Sequence, residues 1–108
     1  MYQYKEKYTI DFTNVNYYLE MHSLIRQALD FPEYYGGSLD ALWDCLRDMV
    51  GDPIHIEIIG LEVIERKFGD YAGKLIETFR ELKHYRNDKY SHEIKIEIVS
   101  GDTRIAIE

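Results

Sequence analysis

The sequence predicts an α/β fold of two layers, a three-stranded parallel sheet packed on helices. Three observations carry that prediction. The segments Tyr8–Phe12, Ile54–Ile58 and Ile94–Ile98 alternate apolar and polar residues at the period of a strand. The stretches between them carry apolar residues at helical spacing, so successive strands are joined by helical crossovers and run parallel. Parallel strands buried on both faces read as continuous apolar runs. These alternate, so one face of the sheet meets helices and the other meets solvent.

Each element follows from local chemistry. In the first strand Tyr8, Ile10 and Phe12 point one way, Thr9 and Asp11 the other. Asn14 or Asn16 is a suitable cap for the next helix, whose apolar stripe is Met21, Leu24, Ile25 and Ala28. Phe31-Pro32 ends it, because the residue before proline avoids helical backbone. Gly36 and Gly37 mark a loop, and Ser38 caps a helix from Leu39 to about Val50 that Gly51-Asp52-Pro53 stops. After the second strand, a short helix is expected from Leu61 to Lys67. Asp70 can cap a longer one that runs to Tyr85, with Leu75, Ile76, Phe79 and Leu82 inward. Ser100-Gly101-Asp102-Thr103 signals a turn after the third strand. Ile105 and Ile107 then suggest an extra antiparallel strand at the C-terminal edge. The whole chain, residues 1–108, reads as one domain.

Composition narrows the function. The net charge is −7 and the pI is near 5.0, which opposes nucleic-acid binding and favours a cationic partner. The single cysteine, Cys45, excludes an internal disulfide. The N-terminus lacks the apolar core of a signal peptide, and no apolar run approaches the ~20 residues that span a bilayer. The expected compartment is the cytoplasm, with no membrane contact.

The second helix concentrates the charge. Asp40, Asp44 and Asp48 recur every fourth residue and form one outward stripe, opposite Leu39, Leu42 and Leu46. Trp43 sits on the border between the two. From Asp30 to Pro53 six acids (Asp30, Glu33, Asp40, Asp44, Asp48 and Asp52) face one base, Arg47, so five of the seven net negative charges lie there. Like charges at this spacing weaken a helix by a few tenths of a kcal/mol, roughly. A solvated helix face is the ordinary explanation of such a row. The neighbouring Tyr34, Tyr35, Gly36 and Trp43 point instead to recognition, since aromatic residues are enriched at interfaces.

Other chemistry is poorly supported. Three aspartates on one exposed face converge badly on a metal ion. His22, His55, His84 and His92 show no metal-ligand spacing. His22 is expected at a helix surface and His55 on the open face of the sheet. Cys45 reads as a small, buried thiol. Gly69-Asp70-Tyr71-Ala72-Gly73 is not a phosphate loop. No enzyme and no cofactor are expected.

The run Pro32 to Leu46, P-E-Y-Y-G-G-S-L-D-A-L-W-D-C-L, resembles the loop and second helix of the barstar family almost without interruption. His22, Leu29, Pro53 and Phe79-Arg80-Glu81 extend the likeness along the chain. Ser38 departs from the usual Asn, Met49 from an aromatic, and Thr78 from an apolar contact residue. Arg47-Asp48 replaces a less charged pair, and the second cysteine is missing. These changes are expected at or near the rim. The resemblance implies a barstar-like fold and an inhibitor that plugs the active site of a basic, extracellular-type microbial ribonuclease in a 1:1 complex. It implies that Asp44 takes the substrate phosphate pocket, Asp40 meets a basic residue, and Tyr34 lies on the catalytic histidine. Tyr35, Gly36, Ser38, Leu39 and Trp43 shape the contact, Asp48 extends the acidic stripe, and Glu81 adds a peripheral charge pair. The free protein is expected to be a monomer with a role in toxin immunity. The alternative is a barstar-like domain bound to a different toxin nuclease or a regulatory protein.

Overall fold

In a computed structural model that describes residues 7–32, 35–48, 54–85 and 94–107, one mixed sheet is packed on helices. The order is β1 (Tyr8–Asp11), α1 (Tyr18–Leu29), α2 (Leu39–Arg47), β2 (Ile54–Ile59), α3 (Leu61–Phe68), α4 (Tyr71–Tyr85), β3 (Ile94–Ser100) and β4 (Thr103–Ala106). The strands lie side by side as β1-β2-β3-β4, the first three parallel and β4 antiparallel to β3. The expected C-terminal return is therefore a full edge strand.

Register turns alternation into a core. Tyr8 and Ile10 pair with Ile56 and Ile58, which pair in turn with Ile96 and Ile98. These side chains face the helices. Tyr8, Ile10, Ile56, Ile58 and Ile96 are buried, and Ile98 is partly so. Met21 and Ile25 from α1, Leu42 and Leu46 from α2, and Leu75, Phe79 and Leu82 from α4 close over them, each fully buried. Such burial stabilises by about 1.5–3 kcal/mol per large side chain.

The helix ends follow local rules, with one correction. Ser38 caps α2, its Oγ accepting the Ala41 amide at 3.1 Å. α1 does not use Asn14 or Asn16 as its cap. Tyr17 stands at the N-cap with no side-chain bond, and Glu20 Oε1 accepts the Asn16 amide at 2.7 Å. The Asn16 side-chain oxygen instead accepts from Lys67 Nζ of α3 at 2.8 Å. α1 ends at Leu29, before Phe31-Pro32, because Asp30 adopts left-handed backbone at φ 58° and donates to the Arg26 carbonyl.

The far face of the sheet is not the plain solvent face that alternation suggests. Glu57 lies there, only 4% exposed, ringed by Lys7, Arg104 and Thr9. His55 points to this face as expected, bonded to Glu97 at 2.8 Å. Thr78, expected at a contact rim, is buried in α4 and donates to the Lys74 carbonyl at 3.0 Å. No helix among the described residues is long and apolar enough to cross a membrane.

Candidate functional site

α2 lies against α4, with Leu42 and Leu46 buried and its opposite side in water. On that side Asp40, Asp44 and Asp48 are all exposed, which is the expected acidic stripe. Asp48 stands just past the helix as its C-cap. Trp43 and Leu39 are half-buried, packed against the core at the border of the stripe. Ser38 and Gly36 are exposed in the preceding turn, and Glu81 is exposed on α4. Tyr34 lies outside the described residues, as do Met49 and the segment Gly51-Asp52-Pro53 expected to stop the helix.

The stripe is not free of partners. Arg47 Nη2 donates to Asp44 Oδ1 at 2.6 Å, and its guanidinium lies 5.9 Å from the centre of the Trp43 ring. Both Arg47 and Asp44 are well exposed, so this pair contributes little to stability. A competing cation can displace it. Cys45 is half-buried beside the stripe, and desolvation followed by Asp48 and Asp44 pushes its thiol pKa up. A thiol so placed is a poor nucleophile at neutral pH.

The loop before α2 is held from behind. Tyr35 turns its hydroxyl inward, 2.5 Å from Nδ1 of His22. His22 is 2% exposed, which corrects the expectation that it packs at a helix surface. Its Nε2 lies 2.6 Å from the Tyr71 hydroxyl on α4. Tyr18 donates to the Gly37 carbonyl at 3.2 Å and lies 3.1 Å from the same Tyr71 hydroxyl. Desolvation lowers the His22 pKa and raises those of Tyr35 and Tyr71. The imidazole is therefore biased toward its neutral form and both phenols stay protonated. Beside this group a cavity of about 260 Å³ opens between α1 and the loop, lined by Leu19, His22, Ser23, Arg26, Tyr35, Gly36 and Gly37. Sequence reading missed Tyr18 and Tyr71, which carry no motif; ten tyrosines in 108 residues were the available signal.

On the opposite face His55, Glu57 and Glu97 bring one ligand atom each within 4.8 Å of one another. The carboxylates there already have cationic neighbours. Glu57 meets Lys7 at 3.1 Å and Arg104, and Glu97, besides its bond to His55, meets Arg104 and, at 4.0 Å, Lys95. An ion would have to displace those cations, so the set is better explained as a salt-bridge network than as a metal centre.

The family model described as Barstar (barnase inhibitor) matches residues 6–98, a stretch that ends within β3 and leaves β4 outside. The Bacillus subtilis (strain 168) protein named "Putative ribonuclease inhibitor YrdF" is 35% identical over 80 residues, which cover 74% of this chain and 85% of that one.

Proposed function

The chain belongs to the barstar family, a family of inhibitors rather than enzymes, and from that membership we propose that it binds a basic, extracellular-type ribonuclease one to one and occludes the active site. The observation that carries the reading is the row of exposed Asp40, Asp44 and Asp48 on a helix whose other side is locked in the core.

A ribonuclease cleft is basic because it must hold phosphates. A carboxylate on a rigid helix meets the same donors at little entropic cost, and charged hydrogen bonds of this kind are the strong ones. Asp44 sits mid-helix and enters the phosphate pocket, exchanging Arg47 for the arginine and histidine of the enzyme. Asp40 meets a neighbouring base. Trp43 and Leu39 supply apolar contact beside the charges, and Tyr34, Gly36 and Ser38 complete it from the loop. Tyr35 contributes through the loop's shape, its hydroxyl being engaged by His22. Asp48 and Glu81 add rim charges that act on the encounter rate. The free protein is a monomer in the cytoplasm, where it protects its cell from the toxin.

The test is a titration of RNA cleavage against a panel of basic microbial ribonucleases that includes barnase. Complete inhibition of at least one enzyme at a molar ratio of one is the expected result. If none is inhibited, the chain is a family member directed at a different partner, and this reading is wrong.

A further inference from the structure

We propose that Tyr71, acting through His22 and Tyr18, is a positioning residue for the loop that precedes α2, and so for ribonuclease binding. This rests on the inhibitor reading above. Tyr71 is on α4, and among the described residues its side-chain hydrogen bonds and ring contacts are with His22 and Tyr18.

Hydrogen counting shows how the group works. Four polar contacts link α1, the loop and α4: Tyr35 with His22, His22 with Tyr71, Tyr71 with Tyr18, and Tyr18 with the Gly37 carbonyl. Each hydroxyl has one hydrogen, and a neutral imidazole has one N–H. A carbonyl only accepts, so Tyr18 spends its hydrogen on Gly37. Tyr71 must then donate to Tyr18, which leaves its own oxygen to accept from His22. His22 therefore carries its hydrogen on Nε2, and Nδ1 accepts from Tyr35. This is the one arrangement in which a neutral ring satisfies all four contacts. With the hydrogen on Nδ1, Tyr71 would donate to Nε2, and Tyr18 would have to choose between Tyr71 and Gly37.

The relay thus runs in one direction and closes on the loop at both ends, at Tyr35 and at Gly37. Gly37 lies in left-handed backbone at φ 67°, where the chain turns toward the Ser38 cap of α2. Tyr71 is its middle link. The ring contacts support the same placement: Tyr71 meets Tyr18 edge-on at 5.2 Å and His22 at 5.9 Å, so a phenylalanine in its place keeps the packing and loses only the hydroxyl.

The experiment compares the parent chain with Tyr71→Phe and Tyr18→Phe by hydrogen exchange and by binding to barnase. In Tyr71→Phe the amides of Tyr35 and Ala41, which bond to the Pro32 carbonyl and the Ser38 hydroxyl, should exchange about threefold to tenfold faster, the range of one lost hydrogen bond. Those of β2 should be unchanged. Barnase should dissociate faster by a similar factor, with little change in association rate. The double variant should fall short of the product of the two single effects, since both act on one network. Unchanged loop exchange in Tyr71→Phe overturns the proposal, whether or not barnase binds. Equal acceleration in β2 also overturns it, because the residue would then be stabilising the fold at large. If the parent chain fails to bind barnase while the loop responds as expected, positioning of the loop stands and the choice of ribonuclease falls.

Discussion

Arg104 of β4 donates from Nη1 to Oε2 of Glu57 on β2, reaching across the strand between them. Lys7 and Thr9 engage the other carboxylate oxygen. The carboxylate is thus covered by the arms of two cations that are themselves about half exposed. The attraction between carboxylate and cations is correspondingly weaker than in a deep core, and the desolvation it costs is smaller too. β4 lies outside the stretch that matches the family, so of the two cations on Glu57 Arg104 comes from beyond that stretch and Lys7 from within it.

The first prediction follows from the direction of that interaction. The bond from Arg104 is the main cause that holds the Glu57 carboxyl down, from an ordinary 4.5 to about 2; desolvation opposes it and Lys7 assists. A carboxyl depressed in the folded state stabilises the fold above its unfolded pKa and loses that effect as pH falls through its folded one. Glu57→Gln should therefore unfold at a lower urea concentration than the parent at pH 7. The gap should close between pH 4.5 and about 2. A gap that stays constant through this window would mean that packing, not charge, is what the substitution removes.

A second prediction contrasts two glycines. Gly60 opens α3 at φ 81°, and a Cβ there would sit 2.7 Å from the Thr13 amide nitrogen and 3.0 Å from the Phe12 carbonyl carbon. Backbone cannot yield as a flexible side chain does. Gly60→Ala should cost about 2 kcal/mol or more, roughly 8 °C or more in Tm. Gly73 is exposed in α4, and a methyl group on its Cα would meet nothing within 4 Å. Gly73→Ala should stabilise by about 0.5–1 kcal/mol. Thermal unfolding of the two variants should move in opposite directions.

Much of this architecture is legible from the sequence because it is local. Tyr8, Ile10, Ile56 and Ile58 alternate with polar neighbours, and Ser38 precedes an apolar periodic run; both signals act within a few residues. The acidic side of α2 is legible for the same reason, since four-residue spacing alone puts Asp40, Asp44 and Asp48 together. His22 is different. Its partners Tyr35 and Tyr71 lie 13 and 49 residues away, and a histidine in an amphipathic helix reads as a surface group until those hydroxyls are brought to it. Glu57 likewise alternates as an exposed residue should. Its burial depends on Arg104, 47 residues on, in a strand that the sequence only suggests. Asn16 stands one residue before the cap at Tyr17, and its side-chain oxygen is taken by Lys67, 51 residues away.

The third prediction concerns the acidic stripe. Asp44→Ala should cost several kcal/mol of ribonuclease affinity, a size typical of hot-spot truncations in general, the barnase–barstar complex among them. The Arg47 pair it also removes is exposed, so unfolding stability should change by less than about 0.5 kcal/mol. Arg47→Ala should act the other way on binding, leaving affinity equal or slightly higher because Asp44 no longer needs to exchange partners. Isothermal titration against barnase, beside urea unfolding of each variant, separates the two effects. Equal affinity for parent and Asp44→Ala would show that the carboxylate does not mimic phosphate.

The last prediction concerns rate. Asp40, Asp44 and Asp48 are exposed on one side of α2 in a chain of net charge −7, and a basic cleft approaching that side meets a field of one sign. Steering of this kind raises association rates and is screened over about 8 Å at physiological salt. Stopped-flow mixing with barnase should show association slowing steeply between 10 mM and 500 mM salt, roughly, with dissociation changing much less. The same series on Asp48→Asn, which removes a charge without an assigned pocket, should give slower association at low salt and convergence with the parent at high salt. An Asp48→Asn defect confined to dissociation would instead make that side chain a direct contact. An association rate that ignores salt altogether would remove the stripe from the encounter and leave α2 without the electrostatic role argued for it.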